Sequence, residues 1–396
     1  MQNTQTRLQT RCAHAGLPVA GAGRGENRPA VPTIVQSTIF DLGSSDDAEA
    51  LFSGQRPGHA YTRFGNPTVA TLASEIAALE GGQGAMITSS GNAAVLCAVT
   101  AALDGRIGQL VTHPDVYGGT SELLGILARI HRVPVEVVDA TNADAWRAAV
   151  ARAGAVLLET PSNPLMRLID LRDTVEHAHR AGAPVIVDNT VATPANQQPF
   201  MWGADWIVHS TSKYLNGHSD LIGGCVVRRE ALAPVHRAIH KNLGGTVNAL
   251  EAWLVLRGLR TFALRMEAHN RNGIAVARWL QARAEVICVN HPGLESHPQR
   301  ELAQRQMGAG GALLSFELRG GEKAACRFLD RLRLVMHAVS LGGIETLATR
   351  PAMSSHRGMS PSERQRAGVS DGLIRLSVGV EGLDDILTDL EQAFRS

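Results

Sequence analysis

The chain has 396 residues, 44% of them hydrophobic and 19% charged, with a formal net charge of +1. That length and composition suit a soluble globular protein of two or three domains, and the near-zero charge carries no electrostatic footprint for nucleic acid or an anionic membrane. Five dispersed cysteines (Cys12, Cys97, Cys225, Cys288, Cys326) include no Cys-x-x-Cys pair, so reduced thiols in a cytoplasmic protein are expected, with no metal site. Met1–Arg7 has no apolar targeting region, and no segment approaches the length of a membrane span. Residues 1–62 show little periodicity and collect Gly, Pro and polar side chains, as in Ala20–Pro29. Such an arm is expected either to be disordered or to pack on a neighbouring subunit.

Residues 63–257 change character. Short apolar runs at Ala85–Thr88, Gln109–Thr112, Val133–Val138, Ala155–Glu159 and Val185–Asp188 predict buried strands, and Ala93–Leu103 and Leu171–Ala181 predict helices between them. The alternation predicts an α/β domain with a mostly parallel sheet covered on both faces, whose site lies beyond the carboxyl ends of the strands. After Arg257–Arg260 a long helical pattern leads into a smaller α+β domain, residues 258–396. Gly311–Glu317 and Leu373–Val378 read there as strands, and Glu322–Leu332 and Asp384–Phe394 as helices.

Lys213 sits in the polar stretch His209–Asp220, downstream of the run that ends at Asp188. A lysine that forms a Schiff base with an aldehyde cofactor needs a short, well-held loop, and a carboxylate on the cofactor's pyridine nitrogen keeps the ring an electron sink. A lone Ser-x-Lys triplet is usually a solvated loop. The pair, in this order and framing, reads as a pyridoxal 5′-phosphate (PLP) site.

Other segments fit around it, each with a plainer alternative. Ser89–Ala94 follows a strand and opens a helix; it is either an ordinary turn or a phosphate cup, with Gly91 and Asn92 as backbone donors and Ser210 and Ser212 as hydroxyl donors. Tyr61 and Arg63, in Tyr-Thr-Arg-Phe-Gly-Asn-Pro-Thr, could hold a phosphate or form a surface turn before a helix near Thr68–Leu79. Tyr117 could stack on a planar cofactor or stand half-exposed in a Gly turn, and Asn163 could donate to a phenolate oxygen. Arg375, flanked by apolar residues in mid-strand, needs an anionic partner: a structural carboxylate or a substrate α-carboxylate.

These motifs, with Val-Asp-Asn-Thr, Ser-Leu-Gly-Gly-Ile-Glu-Thr-Leu and Ile-Arg-Leu-Ser-Val-Gly-Val-Glu, resemble the Cys/Met-metabolism PLP-dependent enzymes. That family includes cystathionine γ-synthase, cystathionine γ-lyase, methionine γ-lyase and O-acetylhomoserine sulfhydrylase, and the resemblance runs from about Cys12 to the C-terminus. It implies the PLP-dependent transferase fold type I. It implies Lys213 as Schiff-base lysine and proton shuttle, Asp188 on the pyridine nitrogen and Tyr117 on the ring. Tyr61 and Arg63 would reach the phosphate of a neighbouring subunit's cofactor, which makes a dimer the smallest active unit and a homotetramer the expected assembly. Ser340 and Arg375 would bind the substrate carboxylate, and Glu345 stands where γ-acting members carry a glutamate.

Two positions depart from the pattern. Relatives that take carboxylate-tailed substrates carry Tyr-Arg where this chain has Ser121 and Glu122, and methionine γ-lyases place a reactive Cys where it has Gly119. The expected activity is γ-elimination or γ-replacement on a γ-substituted L-amino acid with a neutral or cationic tail, through a vinylglycine-type intermediate. Glu122 is the candidate specificity residue if it faces the pocket, and a solvated helix residue if it turns outward. The rivals are a cystathionine-type β-lyase, an aminotransferase on a similar fold, and a non-enzymatic protein that keeps the cofactor fold.

Overall fold

The computed structural model describes residues 7–17, 29–106 and 108–395. Most of the Gly-rich stretch Ala20–Pro29 lies outside them. Seven strands form the first sheet: β1 (Gly84–Thr88), β2 (Gln109–Thr112), β3 (Val135–Val137), β4 (Ala153–Glu159), β5 (Val185–Asp188), β6 (Trp206–His209) and β7 (Gly224–Arg228). Their spatial order is β1-β7-β6-β5-β4-β2-β3. The pairs among β2 to β6 are parallel, whereas β7 runs antiparallel to both β1 and β6. The sheet is therefore mostly parallel with one reversed strand, which a run as short as Gly-Cys-Val-Val-Arg does not announce.

Alternation along each strand feeds two cores. Ala155, Leu157 and Ile186 join one with the helices Gly91–Ala102 and Gly118–Ile130, while Val156, Leu158, Val185 and Val187 join another with the helices Pro67–Glu80 and Leu171–Arg180. Burial on both faces is why β4 reads as an unbroken small-apolar run. The helix Pro67–Glu80 starts where Asn66 accepts from the Thr68 N–H (2.9 Å) and Pro67 takes the first helical position, and it stops at Gly81, whose φ is +80°. Those caps deliver Glu80 into the core.

The second sheet has order β10-β11-β12-β9-β8, built from β8 (Val286–Asn290), β9 (Leu313–Leu318), β10 (Met336–His337), β11 (Leu347–Thr349) and β12 (Leu373–Ser377). Its pairs are antiparallel apart from β10–β11. The helices Gly321–Arg331 and Leu383–Phe394 pack beside it. The described part of the N-terminal segment is tied to its own chain: Trp253 Nε1 donates to Pro32 O (2.8 Å), Arg260 Nη1 to Ala30 O (3.0 Å), and Asn66 Nδ2 to Val35 O (2.8 Å). The expectation of a disordered or wholly partner-bound arm omitted these local anchors. Among the described residues no helix is long and apolar enough to cross a membrane.

One buried cation joins the halves. Arg265, on the helix Phe262–Gln281, donates to Tyr214 O (2.7 Å), Leu215 O (3.3 Å) and Gly258 O (2.8 Å) behind the Lys213 loop. Burial draws its guanidinium down to about 10. Gly217 passes so close, with φ +77°, that a Cβ there would lie 1.9 Å from Arg265 Nη1. Replacing Arg265 by Leu strands three carbonyls in the interior. Arg265→Leu is expected to lose about 3–5 kcal/mol in urea unfolding, and a loss below about 1 kcal/mol would show that the guanidinium does not brace this loop.

Candidate active site

Five loops leave the carboxyl ends of β1, β2, β4, β5 and β6 on one side of the sheet, and the second domain adds Ser340 and Arg375. Lys213 Nζ donates to Ser340 Oγ (2.8 Å), and Ser340 O accepts from Arg375 Nη2 (2.6 Å). Arg375 Nη1 reaches Asn163 Oδ1 at 3.4 Å. Four separate segments of the sequence thus meet in one chain of contacts. Ser340 takes part from a left-handed backbone (φ +95°), a conformation that a non-glycine residue holds only when its surroundings enforce it.

Arg375 is 5% exposed, and its Nε is buried without a hydrogen-bond partner. Among the described residues no carboxylate pairs with it, so the structural salt bridge is not what it makes. Burial lowers its guanidinium to about 10. Burial, and then the charge of Arg375, draw the Lys213 amine down to about 8. At neutral pH a useful fraction of that amine is unprotonated.

The carboxylates lie across the site. Asp188 receives the Thr190 N–H on Oδ1 (3.0 Å). Burial raises its pKa, while the Thr190 hydrogen bonds and the His209 imidazole pull the other way. Glu159 is pushed well above the usual carboxylate range by burial and by Asp188, although it accepts the Tyr117 N–H at 2.7 Å. Two buried like charges do not both ionise easily, and Glu159 is the one pushed further up, while the Thr190 hydrogen bonds and the His209 imidazole favour the charged form of Asp188. Asp188 is the one placed to stay anionic.

Ser90 caps the helix Gly91–Ala102 by accepting from the Ala93 N–H (3.1 Å), which leaves the Gly91 and Asn92 N–H groups without intrahelical acceptors. A Cβ on Gly91 would come within 3.0 Å of Ser210 Cβ, so the bare glycine lets the β1 and β6 loops close into one cradle without displacing Ser210. Ser210 N donates to Thr190 Oγ1 (2.9 Å), and Ser212 Oγ exchanges hydrogen bonds with Gly223 N (2.9 Å) and O (3.2 Å). Asn92 Nδ2 donates to Gly119 O (3.1 Å), tying the cradle to the Tyr117 turn. Tyr117, 47% exposed, stands at the start of the helix Gly118–Ile130. An amine drawn below its ordinary range, a carboxylate with donors, an exposed ring and an anion cradle fit PLP. Lys213 would bond its aldehyde carbon, Asp188 would face its pyridine nitrogen, and the cradle would take its phosphate.

The other expected residues lie at varied distances from this cluster. Glu345 is half-buried and accepts from Ser219 Oγ on the Lys213 loop. Ser121 and Glu122 are exposed on the helix Gly118–Ile130. Tyr61 and Arg63 are exposed as well; Arg63 Nη1 donates to Lys241 O (3.1 Å) and lies 4.9 Å from the Phe64 ring centroid. Sequence reasoning passed over Thr190, although it completes the Val-Asp-Asn-Thr motif, and used the Glu159 motif only for Asn163. It also missed Glu80 and His209, which meet across 129 positions of chain at 2.5 Å.

The sequence pattern of the family described as Cys/Met metabolism PLP-dependent enzyme matches residues 11–395. An L-methionine gamma-lyase of Fusobacterium nucleatum subsp. polymorphum is 41% identical over 363 residues, 91% of this chain and 92% of the relative. A cystathionine gamma-synthase of Escherichia coli (strain K12) is 42% identical over 369 residues, 92% of this chain and 93% of the relative. The solved cystathionine gamma synthase from Xanthomonas oryzae pv. oryzae, in complex with aminoacrylate and cysteine, superposes with a TM-score of 0.89 at 40% identity. It covers 99% of this chain and 98% of its own.

The depressed Lys213 amine has a kinetic signature. Only the neutral amine attacks an aldehyde, so the rate at which cofactor-free protein takes up PLP should rise with pH through about 8 and level off above it. Arg375→Leu removes the neighbouring cation and should move that inflection upward. A wild-type rate still climbing at about pH 10, the ordinary lysine range, would contradict the buried placement.

Proposed function

The chain belongs to the Cys/Met-metabolism PLP-dependent enzymes, and within that family we propose that it eliminates or replaces the γ-substituent of an L-amino acid. The observation that carries the reading is Arg375: a buried guanidinium with an unpartnered Nε, joined through Ser340 to the lysine amine. A substrate α-carboxylate would supply the missing charge and, by docking there, bring Cα toward Lys213 Nζ.

PLP, when bound, supplies an electron sink for charge that develops at Cα. The protein's own residues account for the rest. Asp188 would face the pyridine nitrogen and favour its protonated form. Ser340 and Asn163 would orient the Arg375 fork, and the neutral fraction of Lys213 would take the Cα proton, give it up to the bound cofactor, and so be free to take one from Cβ as the γ-group leaves with its bonding pair. Glu345, tied to the Lys213 loop through Ser219, is the group assigned to the γ-carbon side. Tyr117, exposed beside the cradle, would cover the ring.

The assembly is read as a dimer that shares its sites, with a homotetramer as the full particle. Support comes from exposed Ile39, Tyr61 and Phe64, large apolar side chains in the N-terminal part of the chain that a lone chain leaves to water. Tyr61 and Arg63 would then serve the partner's phosphate. Five unpaired cysteines fit a reducing, cytoplasmic setting. Mixing Arg63→Ala with Lys213→Ala chains is expected to restore part of the activity, because each heterodimer then contains one complete site. Demonstrated heterodimers with no activity would rule out sharing.

Glu122 sets the proposed tail preference. It lies one helical turn beyond Gly118, on the helix face where a Gly118 Cβ would approach Ser355 O to 2.5 Å. An anionic tail brought against it would be disfavoured by like-charge repulsion, screened by the water around the exposed carboxylate. Cationic and neutral γ-substituted amino acids should therefore exceed anionic ones in kcat/KM, with 2-oxobutanoate or a new γ-substituted amino acid as product. Glu122→Ala should flatten the ranking. Pyruvate as the main product would replace γ-chemistry with β-elimination, and an unchanged ranking would remove Glu122 from specificity.

A further inference from the structure

Behind Asp188, on the other face of the sheet, lies a buried carboxylate–imidazole pair that the reaction described above does not use. His209 Nε2 meets Glu80 Oε1 at 2.5 Å, with side-chain exposures of 1% and 0%. The same Oε1 accepts from Asn189 Nδ2 (2.9 Å), while Glu80 Oε2 is buried with no hydrogen-bond partner. Asn189 directly follows Asp188, and His209 directly precedes the Ser210–Lys213 loop. One carboxylate therefore grips the ends of both strands that carry the cofactor-facing residues.

The contacts continue inward. Asn189 Nδ2 also donates to Gln197 O (2.9 Å) and Asn189 Oδ1 accepts from Gln197 Nε2 (3.0 Å), and Gln306 Nε2 donates to Gln197 Oε1 (3.0 Å). A carboxylate on one imidazole nitrogen fixes which nitrogen carries the proton and how the ring lies. In that orientation the imidazole opposes the burial that raises the Asp188 carboxyl. The other titratable groups packed around this point are Glu159 on β4 and Cys225 on β7. Both, when ionised, add negative charge, and the imidazole acts against it at Asp188.

We propose that Glu80 and His209 are positioning residues whose hydrogen-bonded contact holds Asp188 in place and anionic for the pyridine nitrogen. The inference rests on the assignment of Asp188 to that nitrogen. Neither side chain touches substrate or cofactor.

Pyridoxine 5′-phosphate, which has the ring and phosphate but no aldehyde, tests this without turnover. Its Kd is measured by fluorescence on the full-length, cofactor-free chain for wild type, Glu80→Gln, His209→Gln, Asp188→Asn and the Glu80→Gln/Asp188→Asn double variant, beside the Kd of inorganic phosphate. Glu80→Gln keeps an acceptor for His209 and Asn189 and exchanges one unpartnered atom for another, so only the charge is removed. Glu80→Gln and His209→Gln should each weaken pyridoxine 5′-phosphate about tenfold, leave inorganic phosphate unchanged, and add less than about twofold once Asp188 is Asn. Equal losses with and without Asp188, equal weakening of inorganic phosphate, or no loss at all would overturn the proposal. An Asp188→Asn chain that binds like wild type would instead overturn the Asp188 assignment. Should Glu80→Gln fail to fold, His209→Gln and its double variant with Asp188→Asn decide by the same criteria.

Discussion

Lys213 and Arg375 are two basic groups buried side by side, linked only through the hydroxyl and the carbonyl of Ser340. Like charges in a low-dielectric interior repel and lose hydration together, so such a pair persists only where the fold leaves it no alternative. The surroundings supply that compulsion. Tyr214, the neighbour of Lys213, is fully buried, with its ring edge-on to His269 at 5.2 Å. A Cβ on Gly342 would strike Tyr214 N at 2.6 Å, and Arg265 clamps the carbonyls of Tyr214 and Leu215 from behind. The strain visible at Ser340 is the geometric expression of the same constraint.

Charge is sorted by position in the sheet. The acids Glu159 and Asp188 end neighbouring strands β4 and β5, and the bases come from the β6 loop and from β12 of the second domain. A planar cofactor between the two groups would meet carboxylate on one side and amine on the other. A substrate carboxylate would meet a guanidinium that comes from the second domain, so placement of that domain would bear on substrate affinity more than on the cofactor.

Much of this arrangement was legible in the order of residues. The runs at β1, β2, β4 and β5 stand out because strands buried on both faces carry continuous apolar side chains, and the motifs fall at their carboxyl ends. β10 and β11 are too short for any period to register. β7 hides because direction within a sheet is set by its neighbours, not by composition. Glu80 and His209 look like a helix-end acid and a strand-end imidazole until folding brings them together, and the solitude of Arg375 is a property of three dimensions. Glu122 was legible as an anomaly, but its exposure in a single chain follows from packing that one sequence does not contain.

The reversal of β7 has a mechanical consequence. Because β7 starts at the edge where β6 ends, the segment from Ser210 to Gly223 leaves the sheet and returns to it on an adjacent strand, and Ser212 staples its far end by bonding Gly223. Lys213 thus rides on a closed ring of chain and not on a tether. Its reach is set by the circumference of that ring, so lengthening or nicking the backbone near the exposed Ile222 would leave every functional group present and yet slacken the arc on which the amine travels.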